Sequence, residues 1–304
     1  MKRITALILI CIMIMIPLDG PSVSFAGSDF PSFMNADTEM VRSGSGRWDI
    51  RIKARQKEYG YDTIQGACSY KGYAYMALYN RKVEKIKIAK VDLKTMKVVK
   101  VSKPLDTLVH GNTLTYNPKT NRIIAVCGVK APRTVVFFSP KTMEMTSTRT
   151  IRLSTKQLGE KFEGINGFSY NEKRDMYVLK VRNKSSKIVL LDRELRVKKV
   201  ISPEGVRTYL LAQGLYTEGD YMFDLQSFRY RNYYNLITVR KIDTGKLVGR
   251  IKVYSGDTGQ LYELENLFHD NGKWYISYYR ANVRSTGDTD RKNYLYIVRN
   301  MPDI

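Results

Sequence analysis

One pattern recurs five times along this chain: a strand-like segment, a tight turn and a second strand-like segment. The copies begin near Ile64, His110, Ile165, Gln213 and Glu265. A repeat of roughly 45 to 55 residues that is built of strands without intervening helices is typical of the blades of a β-propeller. The sequence therefore predicts an all-β fold, namely a single β-propeller.

The number of strand-like segments in each copy predicts the number of blades. Four copies contain four such segments, whereas the copy that begins at Glu265 contains three. The segment Trp48–Ala54 alternates apolar and polar residues as a half-buried strand does, and it has no partner segment of its own. Adding it to the last blade would close the ring and remove an exposed sheet edge. We therefore expect five four-stranded blades closed by this N-terminal strand; a sixth blade built from residues 30–62 is the alternative.

The start of the chain predicts export. Lys2 and Arg3 precede an apolar run over residues 4–18, and the small residues Ser24 and Ala26 occupy the two recognition positions before a cleavage point after Ala26. An uncleaved membrane anchor is the alternative. We expect a monomeric product that is secreted, either extracellular or associated with the cell envelope. The predicted division of the chain is a signal peptide at 1–26, an irregular N-terminal arm at 27–45 and the propeller domain at 46–304.

Two cysteines, Cys68 and Cys127, lie beyond the predicted signal peptide. Each is flanked by residues of a predicted strand, which favours small buried apolar side chains over a disulfide framework. Export would permit a bridge between the two, so their pairing stays open.

The net charge points to a class of partner. The chain has 51 Lys and Arg against 29 Asp and Glu, a formal net charge of +22. Lysines such as Lys85, Lys87, Lys97 and Lys100 lie in segments predicted as outer strands, where their summed field would attract anionic polymers. For an exported protein these are anionic cell-wall polymers or acidic polysaccharides, and nucleic acid ranks last because no recognition motif is present. A merely solvated basic surface is the alternative.

Polar residues near the start of the repeats form the candidate site. The first strands of a propeller run alongside its axis, so these side chains are expected to converge at one end of a central channel, where a small ligand would bind. Alternatively, amides and trapped waters there only satisfy the backbone of crowded strands. The ligand-binding candidates are Gln65, Asn112, Asn166, Gln213 and Asn266, and the weak catalytic candidates are Glu163, Glu265 and His110.

Motifs that mark common enzyme classes are absent from the sequence. It contains no HExxH, GxSxG, Walker loop or paired CxxC, and its two histidines are His110 and His269. These absences argue against zinc hydrolases, triad hydrolases and nucleotide-binding enzymes. We predict no cofactor and no metal site. Ca²⁺ is the one ion considered, through the candidate carboxylates or the acidic loops at 256–260 and 286–290, which are better explained as plain turns.

Two short motifs add a resemblance to known proteins. The repeats resemble those of secreted bacterial β-propellers, and TIQG at Thr63–Gly66 with FEGI at Phe162–Ile165 is similar to the signatures of bacterial glutamine cyclotransferases. That resemblance implies a channel-based enzyme that cyclises N-terminal glutamine, with Gln65 and Glu163 at the channel. The residues themselves favour a secreted, non-catalytic binding or scaffold module for an anionic cell-surface polymer or a small channel ligand. The enzyme is the alternative.

Overall fold

The computed structural model describes residues 41–42, 63–80, 83–105, 113–126, 133–182, 185–207, 210–227, 235–254, 260–282 and 292–298. Strands account for nearly all of the regular structure in these ranges, which confirms the predicted all-β class.

The strands follow the predicted repeats. A short β1 (Val41–Arg42) precedes the first sheet, which contains β2 (Thr63–Tyr70), β3 (Tyr73–Asn80), β4 (Lys85–Asp92) and β5 (Lys97–Val101). The second sheet contains β6 (Leu114–Asn117), β7 (Arg122–Val126), β8 (Thr134–Phe138) and β9 (Met145–Thr150), and the third β10 (Ile165–Asn171), β11 (Met176–Val181), β12 (Ile188–Leu191) and β13 (Val197–Ile201). The fourth contains β14 (Leu211–Glu218), β15 (Tyr221–Ser227), β16 (Asn235–Lys241) and β17 (Leu247–Tyr254), and the last β18 (Gln260–Asp270), β19 (Lys273–Asn282) and β20 (Lys292–Val298).

The first four sheets are blades in a β-propeller arrangement. Each consists of four consecutive antiparallel strands, and the first strands β2, β6, β10 and β14 contact one another in that order. The three-stranded sheet lies beside them, because β18 contacts both β14 and β2. The predicted count of five four-stranded blades is not shown. The strand expected to complete the last blade, Trp48–Ala54, lies outside the described residues.

A strand also occurs within the segment predicted as an irregular arm. Val41 and Arg42 of β1 pair in parallel with Val253 and Tyr254 of β17. This pairing adds a fifth strand to the outer edge of the fourth sheet.

The hydrophobic core lies between the sheets. Five clusters of buried apolar side chains occur in the described residues, and each joins a different pair of neighbouring sheets. Between the second and third sheets, for example, Phe137 packs in one cluster with Phe168 and Tyr177. Burying a side chain of this size contributes about 1.5–3 kcal/mol, so contacts between sheets hold the arrangement together.

One helix occurs in the described part of the chain, α1 (Thr155–Leu158), between the second and third sheets. Ser154 and Gln157 form a capping box at its start, and Gly159 ends it with a left-handed φ of 72°. Leu158 anchors it in the core. Four residues are far too few to cross a bilayer, and the described residues include no longer helix that would.

Cys68 is buried in β2 and carries a free thiol, as expected of a small apolar strand residue. Burial raises the pKa of this thiol, so it stays protonated and unreactive at neutral pH. Its possible partner Cys127 lies outside the described residues.

Candidate functional site

The first strands carry β-bulges at the predicted site residues. In β2, β10, β14 and β18 the pairing with the next strand shifts by one residue. A bulge bends the strand and re-aims a side chain, and bulges are common beside functional sites. The shifts fall at Gln65, Asn166, Gln213–Gly214 and Glu265.

Most of these side chains are buried, and two of their amides bond to the backbone. Asn166 is half-buried, whereas Gln65, Gln213, Glu265 and Asn266 are buried. Asn266 Nδ2 donates to the carbonyl oxygen of Gln65 at 2.9 Å, which joins β18 to β2. Gln65 Nε2 donates to the carbonyl oxygen of Ile64 at 3.0 Å. These two amides therefore satisfy backbone groups of crowded strands, and their role as ligand-binding residues stays a prediction.

The weak catalytic candidates are not brought together by any described contact. Glu163 is exposed just before β10, and its backbone N–H donates to the carbonyl oxygen of Arg182 at 3.3 Å. Its carboxylate makes no hydrogen bond or ion pair with another described residue. His110 and Asn112 lie outside the described residues, as do the acidic loop 286–290 and all but the last residue of 256–260.

A cavity lies at the opposite end of the first strands. Its volume is about 380 Å³, and it is lined by residues of all five first strands and of the turns that follow four of them. The sequence pattern did not predict this cavity. A recurring residue type in the sequence could have indicated it, because a Ser or Thr lies near the end of four first strands: Ser69, Thr115, Ser169 and Thr217.

These hydroxyl groups join neighbouring first strands. The hydroxyls of Ser169 and Thr217 lie 2.9 Å apart, Thr115 Oγ1 accepts the backbone N–H of Tyr170 at 2.9 Å, and Ser69 Oγ donates to the carbonyl oxygen of His269 at 3.0 Å. These hydrogen bonds connect neighbouring sheets at the cavity wall, so the polar groups of the wall are held in place before any ligand binds.

The cavity also holds a hydrogen-bonded chain of Tyr216, Glu218 and His269. Glu218 Oε2 accepts the phenol O–H of Tyr216 at 3.0 Å, and Glu218 Oε1 lies 3.1 Å from His269 Nδ1. Burial, and then the charge of Glu218, raises the pKa of Tyr216 well above its ordinary value, so the phenol remains a donor. The imidazole stacks on the indole of Trp274, with ring centroids 4.8 Å apart.

This chain fixes the proton on His269. An ionised carboxylate only accepts, so Nδ1 carries the proton that is shared with Glu218. The other ring nitrogen, Nε2, has no hydrogen bond to any described residue.

Aromatic and charged groups complete the cavity. The rings of Tyr70 and Tyr116 stack with centroids 4.0 Å apart. A hydrogen bond with Tyr116, and then one with Lys71, lowers the pKa of Tyr70. Burial raises the pKa of Asp270. No group of three side chains suited to a metal occurs among the described residues. The charged lining residues are the carboxylates of Glu172, Glu218 and Asp270 and the ammonium groups of Lys71 and Lys173.

Comparisons with known proteins bear on the fold. No family model matches the chain, and no curated protein matches it. Among solved structures it is similar to the tail fibre of Staphylococcus aureus phage P68, with a TM-score of 0.56 at 12% identity over 90% of this chain and 56% of that one. It is also similar to 1,3Gal43A, an exo-β-1,3-galactanase from Clostridium thermocellum, with a TM-score of 0.53 at 10% identity over 78% of this chain and 59% of that one. The fold is a β-propeller.

A more distant likeness is to the WD40 β-propeller domain of Doa1, with a TM-score of 0.39 at 10% identity over 79% of this chain and 69% of that one. The chain spans only 56% and 59% of the tail fibre and galactanase chains. At these identities the likenesses concern the fold alone. The resemblance to glutamine cyclotransferases stays a prediction.

Proposed function

We propose that the protein is an exported, non-catalytic binding or scaffold propeller that holds an anionic cell-surface polymer on its basic outer strands. The observation that carries this proposal is the composition of the fourth strand in each of the four blades. Strands β5, β9, β13 and β17 contain no acidic residue. Their basic residues are Lys97, Lys100, Arg149, Lys198, Lys199, Arg250 and Lys252.

Three of these outer strands face solvent. Every residue of β9 is exposed, as are residues 97–100 of β5 and both lysines of β13. Lys100 and Lys199 also reach the next sheet, where their Nζ atoms donate to the carbonyl oxygens of Thr142 at 3.3 Å and Asp243 at 2.8 Å. Those two lysines therefore have a structural role besides any contact with a polymer.

Other lysines are better placed for a polymer. The side chains of Lys97 and Lys198 are exposed and make no hydrogen bond or ion pair with any described residue. In contrast, Lys85 and Lys87, which the sequence predicted to face water, are half-buried in β4. The lysines of β4 therefore contribute less to the basic surface than the sequence predicted.

Polymer binding has a direct test. Full-length protein is expected to bind immobilised poly(glycerol phosphate) or polyuronate, and to be released between roughly 0.05 and 0.5 M NaCl because salt screens exposed charges beyond about 10 Å. Reversing Lys97 and Lys198 to Glu should shift release to clearly lower salt without breaking a described hydrogen bond. The salt concentration at half release, measured by column retention, is the readout.

A matched variant separates position from total charge. Lys156 and Lys161 are exposed in and after α1, so they are not part of the outer strands, and their reversal to Glu changes the net charge by the same amount. We expect this variant to elute close to the unmodified protein. Equal shifts in the two variants would mean that only the overall charge matters. Retention that high salt does not reduce would contradict the proposal.

The proposal includes export of the protein from the cell, and it competes with one enzymatic alternative. Export rests on the predicted signal peptide at 1–26, which lies outside the described residues. The alternative, a channel-based glutamine cyclotransferase, gains no support from the geometry, because no described contact joins Glu163 to Gln65. Absence of ammonia release from peptides with N-terminal glutamine is therefore expected.

We also propose that the three-stranded sheet is a fifth blade, which Trp48–Ala54 completes. Deleting residues 46–55 should lower the unfolding temperature and cause self-association, because an opened ring loses backbone hydrogen bonds and exposes a strand edge. Calorimetry and light scattering measure both effects. Deleting residues 27–36, ten residues of the predicted arm, is the control and should do neither. A 46–55 deletion that behaves like this control would exclude the closure.

A further inference from the structure

We propose that the axial cavity is a binding site for a small neutral polyol, such as a free sugar or the sugar end of a glycan. This site lies at the end of the first strands opposite to the bulges, so it is distinct from the channel site predicted from the sequence. It is also independent of the basic outer strands.

The size and construction of the cavity suit a small molecule. Its volume of about 380 Å³ falls in the range of roughly 300–1,000 Å³ that is usual for small-ligand sites. All five first strands contribute to it, and hydrogen bonds between Ser69, Thr115, Ser169 and their neighbours on adjacent strands fix its wall. A preformed wall reduces the entropy lost on binding.

The polar groups in the cavity match hydroxyl groups, which both donate and accept. Each oxygen of the Glu218 carboxylate takes one described hydrogen bond, and each retains a further lone pair. His269 Nε2 has no hydrogen-bond partner among the described residues and can pair with a ligand hydroxyl. Thr115 Oγ1 accepts the N–H of Tyr170 but donates to no described residue, so its O–H is available to a ligand.

Aromatic side chains give the same cavity apolar surface. Tyr70 and Tyr116 stack on one another at its wall, and Phe268 lines it from β18. A sugar ring combines C–H faces with hydroxyl edges, so a site of aromatic rings and fixed acceptors satisfies both parts.

The charge of the lining favours a neutral ligand. In a chain with a formal charge of +22, this cavity has three carboxylates and two ammonium groups. An anion would meet the carboxylates of Glu218 and Asp270 here, and it would bind more favourably to the basic exterior. A small amine is the main competing ligand, because carboxylates and tyrosine rings also attract cations.

The experiment is saturation-transfer NMR on the full-length protein. The probes are glucose, galactose, N-acetylglucosamine, glucuronate, choline and ethanolamine. We expect transfer to at least one neutral sugar, less to glucuronate and none to the amines. The same sugar should raise the unfolding temperature of the unmodified protein, since a ligand that binds only the folded state stabilises it. Transfer to the amines alone, or to no probe, would overturn the proposal.

A pair of variants places the sugar in the cavity. Glu218→Gln removes a charged acceptor while keeping the shape of the side chain. It should raise the dissociation constant of the sugar about tenfold or more, as expected for loss of a hydrogen bond to a charged group. Glu144→Gln is the same substitution at an exposed position outside the cavity, and it should leave affinity unchanged. Equal loss in both variants, or no loss in Glu218→Gln with its fold intact by calorimetry, would contradict the site.

Discussion

Replacing Asp224 by Asn should lower the free energy of unfolding by about 3–5 kcal/mol, the cost of leaving buried charges without their partner. Among the described residues, Asp224 is the one carboxylate that pairs with Lys180 and Arg240, and all three side chains are buried. It forms an ion pair with Lys180 of the third sheet, and its Oδ2 lies 3.1 Å from an Arg240 guanidinium nitrogen in its own sheet. The neutral amide would leave two buried cations with no counter-charge.

The cluster also holds the connection between these two sheets. Arg240 Nε donates to the carbonyl oxygen of Glu204 at 2.8 Å, and a second guanidinium nitrogen donates to that of Gly205 at 3.3 Å. Because Asp224 orients this guanidinium, its loss weakens the contact between blades as well as the ion pairs.

Chemical denaturation measures the effect, and a surface pair supplies the control. Asp243 accepts two hydrogen bonds from Arg174, but 54% of its side chain is exposed. Asp243→Asn should therefore cost no more than about 1 kcal/mol. Adding Lys180→Met to Asp224→Asn should recover part of the loss, because one uncompensated cation disappears. If Asp224→Asn costs no more than Asp243→Asn, the buried cluster does not stabilise the fold in this way.

The fold class was predictable because it depends on local periodicity. The strand at Thr63–Tyr70 and the turn at Lys71–Gly72 appear in the sequence as a strand-like segment followed by a turn pair, and the structure has them there. The burial of β4 was less predictable: Lys85 and Lys87 alternate with buried isoleucines, but their exposure depends on the neighbouring strands and sheets, which the local pattern does not specify.

The candidate site was predictable only in part for the same reason. Gln65 and Glu265 stood out as polar residues at the start of apolar strands, and the structure shows that their positions coincide with bulges. The axial cavity depends instead on groups that lie far apart in the chain. Glu218 and His269 are 51 residues apart and belong to different sheets, so no local sequence pattern predicts their contact.

Gly214 follows the candidate site residue Gln213 in the sequence, and the structure explains why this position is a glycine. The first strands β14 and β18 approach so closely at the bulge that a Cβ on Gly214 would lie 2.5 Å from the carbonyl oxygen of Glu265 and 3.0 Å from Asn266 Oδ1. The backbone oxygen cannot rotate away as a side chain would. Glycine is therefore required here for space.

Gly214→Ala should accordingly lower the free energy of unfolding by about 3 kcal/mol, the upper part of the range for overpacking, because the two strands must separate. Urea denaturation measures this loss. Gly272→Ala is the control: it follows β18 in a turn with a φ of 71°, and nothing lies within 4 Å of its added Cβ, so only backbone strain of about 1–2 kcal/mol is expected. A Gly214→Ala variant as stable as the unmodified protein would show that β14 and β18 do not pack this closely, and the ring of first strands around the axis would then be wider than described.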